Sequence, residues 1–190
     1  MKWLAERCLK LRGWKFIGEL PSVAKFILIG APHTSNWDFV VYLAALSHWN
    51  FKPRYLGKHT LFEGPFGWLF RRWGGIPVDR RQPGGLIRLV SAEFDASDEL
   101  VLVIAPEGTR EAAPFWKSGF LAIANAVKAP ILPARVDYDG KRITLGLPIA
   151  HRGDVDDTMR QLRTFYKGAS GKNAIGMGPV RVREESSASS

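Results

Sequence analysis

The sequence predicts an α/β fold: a single domain with a mostly parallel or mixed central sheet flanked by helices, and an amphipathic segment at its N-terminus. Three observations carry that expectation. Short apolar, β-branched runs at 25–30, 100–105 and 131–136 have the length and composition of buried strands. Stretches with helical periodicity alternate with them, at 37–49, 86–96, 115–127 and 155–166. The two motifs richest in chemistry each follow directly on a strand-like run, at the ends where open α/β sheets gather ligands. Residues 76–78 and 142–147 are weaker strand candidates.

The 190 residues are enough for one domain with a sizeable core, and 46% hydrophobic content is ordinary for a globular chain. There is no internal linker and no repeat. Residues 1–20 form the amphipathic segment, 21–180 the main domain, and 181–190 a polar tail expected to fray. In the first segment Leu4, Cys8, Leu11 and Trp14 recur at helical spacing with Trp3 beside them, while Lys2, Glu6 and Lys10 lie towards the other side. Such a helix either docks on a membrane surface or packs on its own domain. The net charge of +9 favours anionic partners. The longest apolar run, residues 39–46, is too short to span a bilayer, no usual signal peptide is present, and the single Cys8 excludes an internal disulfide. A cytoplasmic protein, peripheral on the inner face of the cell membrane, is the expectation.

The first motif is Pro32-His33-Thr34-Ser35-Asn36-Trp37-Asp38. Five steps along a continuous helix turn roughly 140° past a full turn, so His33 and Asp38 meet only if the histidine sits on the turn before the helix. Ser35 as N-cap and Asp38 at the third helical position would make a capping box, and the helix N-terminus favours an ionised Asp38. Asp38 can then hold one imidazole nitrogen and leave the other free to take a proton from a hydroxyl. No Gly-x-Ser-x-Gly elbow occurs, so the nucleophile would come from the substrate. A turn histidine and a plain helix cap are the structural alternative. His48, His59 and His151 have no comparable setting.

The second motif, Ala105-Pro106-Glu107-Gly108-Thr109-Arg110, ends a buried strand in a turn. Gly108 permits close backbone approach, Arg110 can fork onto a phosphate, and Thr109 adds a hydroxyl. Glu107 would hold Arg110 or meet a ligand hydroxyl. Arg80, with Asp79 as its structural partner, is a candidate second phosphate ligand, and Lys58 and Lys117 are further cations near turns. No metal-ligand spacing or nucleotide-binding glycine loop is present, so neither metal nor cofactor is expected.

Taken in order, these blocks resemble the glycerophospholipid acyltransferases, which include the 1-acylglycerol-3-phosphate acyltransferases. His33 followed five residues later by Asp38 is similar to the family's first motif, and Gly75-Ile76-Pro77-Val78-Asp79-Arg80 to its second. Glu107-Gly108-Thr109-Arg110 matches its third letter for letter, and Ala129-Pro130-Ile131-Leu132-Pro133-Ala134 is similar to a later strand. The resemblance implies an O-acyltransferase with His33 as general base and Asp38 orienting it. It also implies that Arg80, Glu107, Gly108, Thr109 and Arg110 bind the acceptor's phosphate. Its implied partners are an acyl-CoA or acyl carrier protein donor, a lysophospholipid acceptor (1-acylglycerol-3-phosphate by default) and an anionic membrane surface. The second block has Pro77-Val78 where the family commonly has an aromatic residue, which leaves other lysolipids or amphiphilic alcohols open as acceptors. The rivals are a non-catalytic basic module for membrane or nucleic acid, though no nucleic-acid motif occurs, and a thioesterase using the same base on water.

Overall fold

The computed structural model describes residues 2–78 and 85–185, with Lys58 and Leu61 by backbone alone. Helix α1 (Lys2–Leu11) leads into strand β1 (Lys15–Ile17). There follow β2 (Lys25–Ala31), α2 (Asp38–His48), β3 (Pro53–Lys58), the short α3 (Thr60–Glu63) and α4 (Gly67–Arg72), and β4 (Gly75–Val78). Next come α5 (Gly85–Asp95), β5 (Leu100–Ile104), α6 (Gly119–Val127), β6 (Ile131–Asp137), β7 (Arg142–Leu145) and α7 (Val155–Tyr166), then a 3₁₀ turn (Ala174–Gly176). The strands form one sheet in the order β1-β7-β6-β2-β5-β3-β4. Every pairing is parallel except the β6–β7 hairpin. The mostly parallel sheet matches the sequence expectation.

The central strands are mostly apolar, since both faces of the sheet are covered. Along β2, Ile27 and Ile29 point to one face, where they join Leu102, Ile131, Val90, Phe94, Phe120, Ile123, Met159 and Leu162. Phe26 and Leu28 point to the other, with Val101, Leu132 and Leu145. In register, Ile29 sits beside Ile104 of β5 on one side and Pro133 of β6 on the other. The carboxyl ends of β6, β2 and β5 therefore lie side by side, and the loops leaving them share one edge of the sheet.

The expected strand and helix positions recur with small shifts; strands β1 and β3 and the short helices α3 and α4 were not foreseen. Strand β3 begins with Pro53 and contains Gly57, so it lacks an apolar run; a proline is tolerated at a strand's first residue. Strand β1 has only three residues. The helix expected from 115 starts later, at Gly119. The Trp116 N–H is taken by the Arg181 carbonyl at 2.8 Å and the Lys117 N–H by the Pro106 carbonyl at 2.7 Å.

Both ends of the chain are more integrated than composition suggests. Helix α1 packs on α2, burying Leu9 with Trp14, Val41, Ala44 and Ile143, and β1 joins the sheet beside β7. The inward stripe is Ala5 and Leu9, while Trp3, Leu4, Cys8 and Leu11 face outward. One stripe of the N-terminal segment thus packs on the domain and another is left exposed. At the other end, Val182 is buried in the main core and Arg163 pairs with Glu185. An apolar residue inside the polar stretch thus has a site in the core.

Truncating Leu9 to alanine should cost about 2–4 kcal/mol of stability in urea unfolding. The same change at Leu11, 88% exposed, should stay within about 0.5 kcal/mol. Equal losses would mean that α1 is not docked as described.

Candidate functional site

The His33 turn begins where β2 ends. The Asp38 N–H bonds to the Ser35 carbonyl and the Phe39 N–H to the Asn36 carbonyl, both at 3.2 Å, so a tight turn feeds into α2. The Asp38 carboxylate reaches back over this turn. Its Oδ2 accepts the backbone N–H groups of Thr34 at 2.8 Å and Ser35 at 2.9 Å. Ser35 Oγ accepts from the Trp37 N–H at 3.2 Å. The expected capping box is not formed: α2 starts at Asp38 with Trp37 as its N-cap and no side-chain cap bond, so Asp38 is the first rather than the third helical position, and Ser35 and Asp38 bond instead within the turn ahead of the helix.

The same carboxylate lies 3.1 Å from His33 Nδ1. This orients the imidazole: Nδ1 faces Asp38, which makes Nε2 the ring nitrogen not engaged by the carboxylate, on a side chain 36% exposed. Asp38 itself is 8% exposed. Burial works to raise its pKa, but bonds from His33, Tyr138, Ser35 and Thr34 outweigh it and hold the carboxyl below the ordinary aspartate range. The fixed negative partner needed to steer the histidine is in place.

Glu107 has the opposite character. It leaves the end of β5, turns inward, and is buried. Its Oε2 accepts the His33 backbone N–H at 2.7 Å. Desolvation pushes its carboxyl up to about 7; the bond from the His33 backbone and the imidazole's charge pull the other way, and the charge of Asp38 adds to the rise. The sequence placed Glu107 against Arg110 or a ligand. The fold instead uses it to brace the histidine's main chain, because parallel β2 and β5 bring the two loops together below the surface.

The rest of the second motif stays at the surface. Gly108, Thr109 and Arg110 are exposed. Gly108 has φ +68°, a conformation glycine adopts without strain, and a Cβ there would lie 3.3 Å from Lys117 Cγ. The Lys117 stem therefore runs along this turn. Arg110 Nη1 donates to Asn36 Oδ1, which ties the turn to the histidine motif. Lys58 ends β3, at the same sheet edge; its side chain, like Arg80, lies outside the described residues. His33, Asp38, Glu107, Gly108, Thr109, Arg110 and Lys117 are thus one connected cluster.

Three contributors were not foreseen. Tyr138 follows the carboxyl end of β6 and donates its hydroxyl to Asp38 Oδ1 at 2.6 Å. Asn36 holds Arg110. Asn173, from the segment after α7, grips the turn: its backbone N–H reaches Thr34 Oγ1 at 3.2 Å, and its Nδ2 reaches the Thr34 carbonyl at 2.9 Å. Tyr138 had a legible signal, lying two residues past the strand expected at 131–136, whose end faces the ligand edge. Asn173 had none, being 139 residues distant.

The Acyltransferase family model matches residues 17–137, a stretch that holds the His33 turn, Asp38 and the Gly108-Thr109-Arg110 turn. The chain belongs to that family. It is 29% identical over 142 residues to a 1-acyl-sn-glycerol-3-phosphate acyltransferase of Streptococcus pneumoniae, covering 73% of this chain and 51% of that protein. The chain thus spans about half the length of that curated relative. Its fold is similar to that of the 1-acyl-sn-glycerophosphate acyltransferase PlsC of Thermotoga maritima, with TM-score 0.60 and 17% identity over 85% of this chain and 72% of that one.

Glu107→Gln keeps an acceptor for the His33 N–H and removes the titration. A carboxyl raised on folding holds a proton the unfolded chain has released, so its contribution to stability falls as pH rises from 4.5 to about 7. The variant should therefore gain on the parent across that window, by roughly 3 kcal/mol at the top. Urea midpoints at pH 5 and pH 8 read this out; a constant difference would contradict the raised carboxyl.

Proposed function

We propose that this protein transfers a fatty acyl group from an acyl thioester, acyl-CoA or acyl carrier protein, to the hydroxyl of a lysophospholipid, with 1-acylglycerol-3-phosphate as the first acceptor to test. The observation that carries this reading is the 3.1 Å contact between His33 Nδ1 and Asp38, which engages one nitrogen of a partly exposed imidazole and leaves Nε2 as the one to meet a substrate hydroxyl. The acceptor hydroxyl gives its proton to Nε2 as its oxygen attacks the thioester carbonyl. The tetrahedral intermediate collapses, the C–S bond breaks, and the imidazolium returns the proton to the departing thiolate. Asp38 stays ionised throughout and stabilises the imidazolium.

Arg110 supplies a phosphate fork, with the Gly108 and Thr109 turn and Lys117 beside it. Lys58 and Arg80, at and after the carboxyl ends of β3 and β4, are assigned to the same anion. Glu107 acts beneath them by fixing the His33 main chain. A phosphate clamp this close to the base favours transfer to a phosphorylated alcohol over hydrolysis, since water needs no such grip.

The surface suits a protein that meets its substrate on a bilayer. Among the described residues no helix is long and apolar enough to cross a membrane. Large apolar side chains nevertheless stand exposed: Trp3, Leu4 and Leu11 on α1, Trp37 and Phe39 at the start of α2, and Phe66, Trp68 and Trp73 around α4. Cations accompany them, with Arg7 over the Trp3 ring at 4.8 Å and Lys172 over Trp37 at 4.4 Å. Tryptophan beside arginine or lysine is the chemistry of a peripheral anchor on anionic lipid. The cytoplasmic face of the cell membrane is the assigned surface.

His33→Ala should abolish thiol release from an acyl thioester, at least about a thousandfold, with vesicle binding intact. Arg110→Ala should raise the acceptor KM about tenfold and leave the donor KM within twofold. Surviving turnover in the first variant removes the base, and parallel KM changes in the second remove the phosphate role. Trp3→Glu with Leu4→Glu should weaken flotation with anionic vesicles while leaving the melting temperature unchanged; full retention would assign docking elsewhere.

A further inference from the structure

We infer that Tyr138 is a positioning residue for this reaction, acting through Asp38 as the third member of a Tyr138–Asp38–His33 chain. This rests on the general-base reading of His33. The phenol hydroxyl donates to Asp38 Oδ1 at 2.6 Å, and the histidine meets Oδ2 of the same carboxylate at 3.1 Å. The two oxygens thus serve two partners from opposite sides, and the carboxylate plane cannot rotate without breaking one contact. The backbone bonds of Thr34 and Ser35 fix Oδ2 from below but leave Oδ1 to the tyrosine.

Tyr138 is itself held from three directions. Its N–H donates to the Ser170 carbonyl at 2.9 Å. Trp14 meets its ring edge-on, with centroids 5.1 Å apart. Ser170 Oγ also bonds Asp137 at 2.7 Å and receives the Asp139 N–H at 2.8 Å, which locks the turn carrying the tyrosine. The same C-terminal segment, through Asn173, clamps Thr34 on the histidine side. So one strap sets the spacing between both supports of Asp38. Burial, then the bond to Asp38 and that group's charge, raise the phenol's pKa and keep it a donor.

A donor on Asp38 withdraws charge from the carboxylate and tempers its pull on the imidazole proton. Removing it should therefore cost geometry and also shift the pH response. Among the described residues the charged and titratable groups around the pair are Glu107 on the histidine side and Cys8, Arg12, Lys141 and Lys172, which share with Tyr138 a cleft of about 410 Å³. Because Glu107 titrates near 7, the profile is recorded in the parent and in Glu107→Gln.

The test is Tyr138→Phe, assayed with an acyl thioester and 1-acylglycerol-3-phosphate, with thermal unfolding recorded alongside. The expected result is a kcat lower by about three- to tenfold, both KM values within twofold, and the acid limb of kcat/KM moved up by about half a pH unit in both backgrounds. An unchanged kcat and limb overturns the proposal. So does a lower kcat with an unmoved limb, which is what simple loss of packing would give. Turnover surviving in His33→Ala overturns the base reading and this inference together, whereas its loss there beside parent-like Tyr138→Phe overturns the tyrosine's role alone.

Discussion

A buried ionised carboxylate must be surrounded by donors, and in this protein that requirement organises the site. Asp38 receives two backbone N–H groups from its own turn, an imidazole nitrogen and a phenol. The turn is local, the phenol arrives from the end of β6, and the segment after α7 clamps the turn from outside. Losing any donor leaves negative charge short of partners where water cannot compensate.

A second carboxylate, a few residues past β5, shows how environment decides a role. Asp38 and Glu107 both touch His33, one at the ring and one at the backbone. Four donors hold Asp38 ionised. Glu107 accepts the His33 backbone N–H in a buried position, so desolvation wins and its carboxyl sits near neutrality. One steers the imidazole with a fixed charge; the other anchors its main chain without adding a full second negative charge at neutral pH.

The exposed aromatics and the net charge of +9 fall outside this buried network. Leu9 and Trp14 hold α1 against the domain, which frees Trp3, Leu4 and Leu11 to face outward without loosening the helix. Trp14 also touches Tyr138, so the docked N-terminal helix and the site share a wall.

Much of this was legible in the sequence because it is set by short-range pattern. The β-branched runs, the helical periods, the His33-to-Asp38 spacing and the Gly108 turn all depend on residues within a few positions of one another. Strand β3 and the buried Val182 were not legible, since a proline-led strand and an apolar residue in a polar tail gain their stability from neighbours distant in the chain. The sequence by itself determined the fold class, the family motifs and the fact that His33 must sit on the turn ahead of its aspartate. Only the tertiary structure decided that Glu107 braces the His33 backbone, that Asn36 takes Arg110, and that Tyr138 and Asn173 frame Asp38. Those contacts join residues 74 to 139 apart, and they exist because parallel register sets the ends of β6, β2 and β5 side by side.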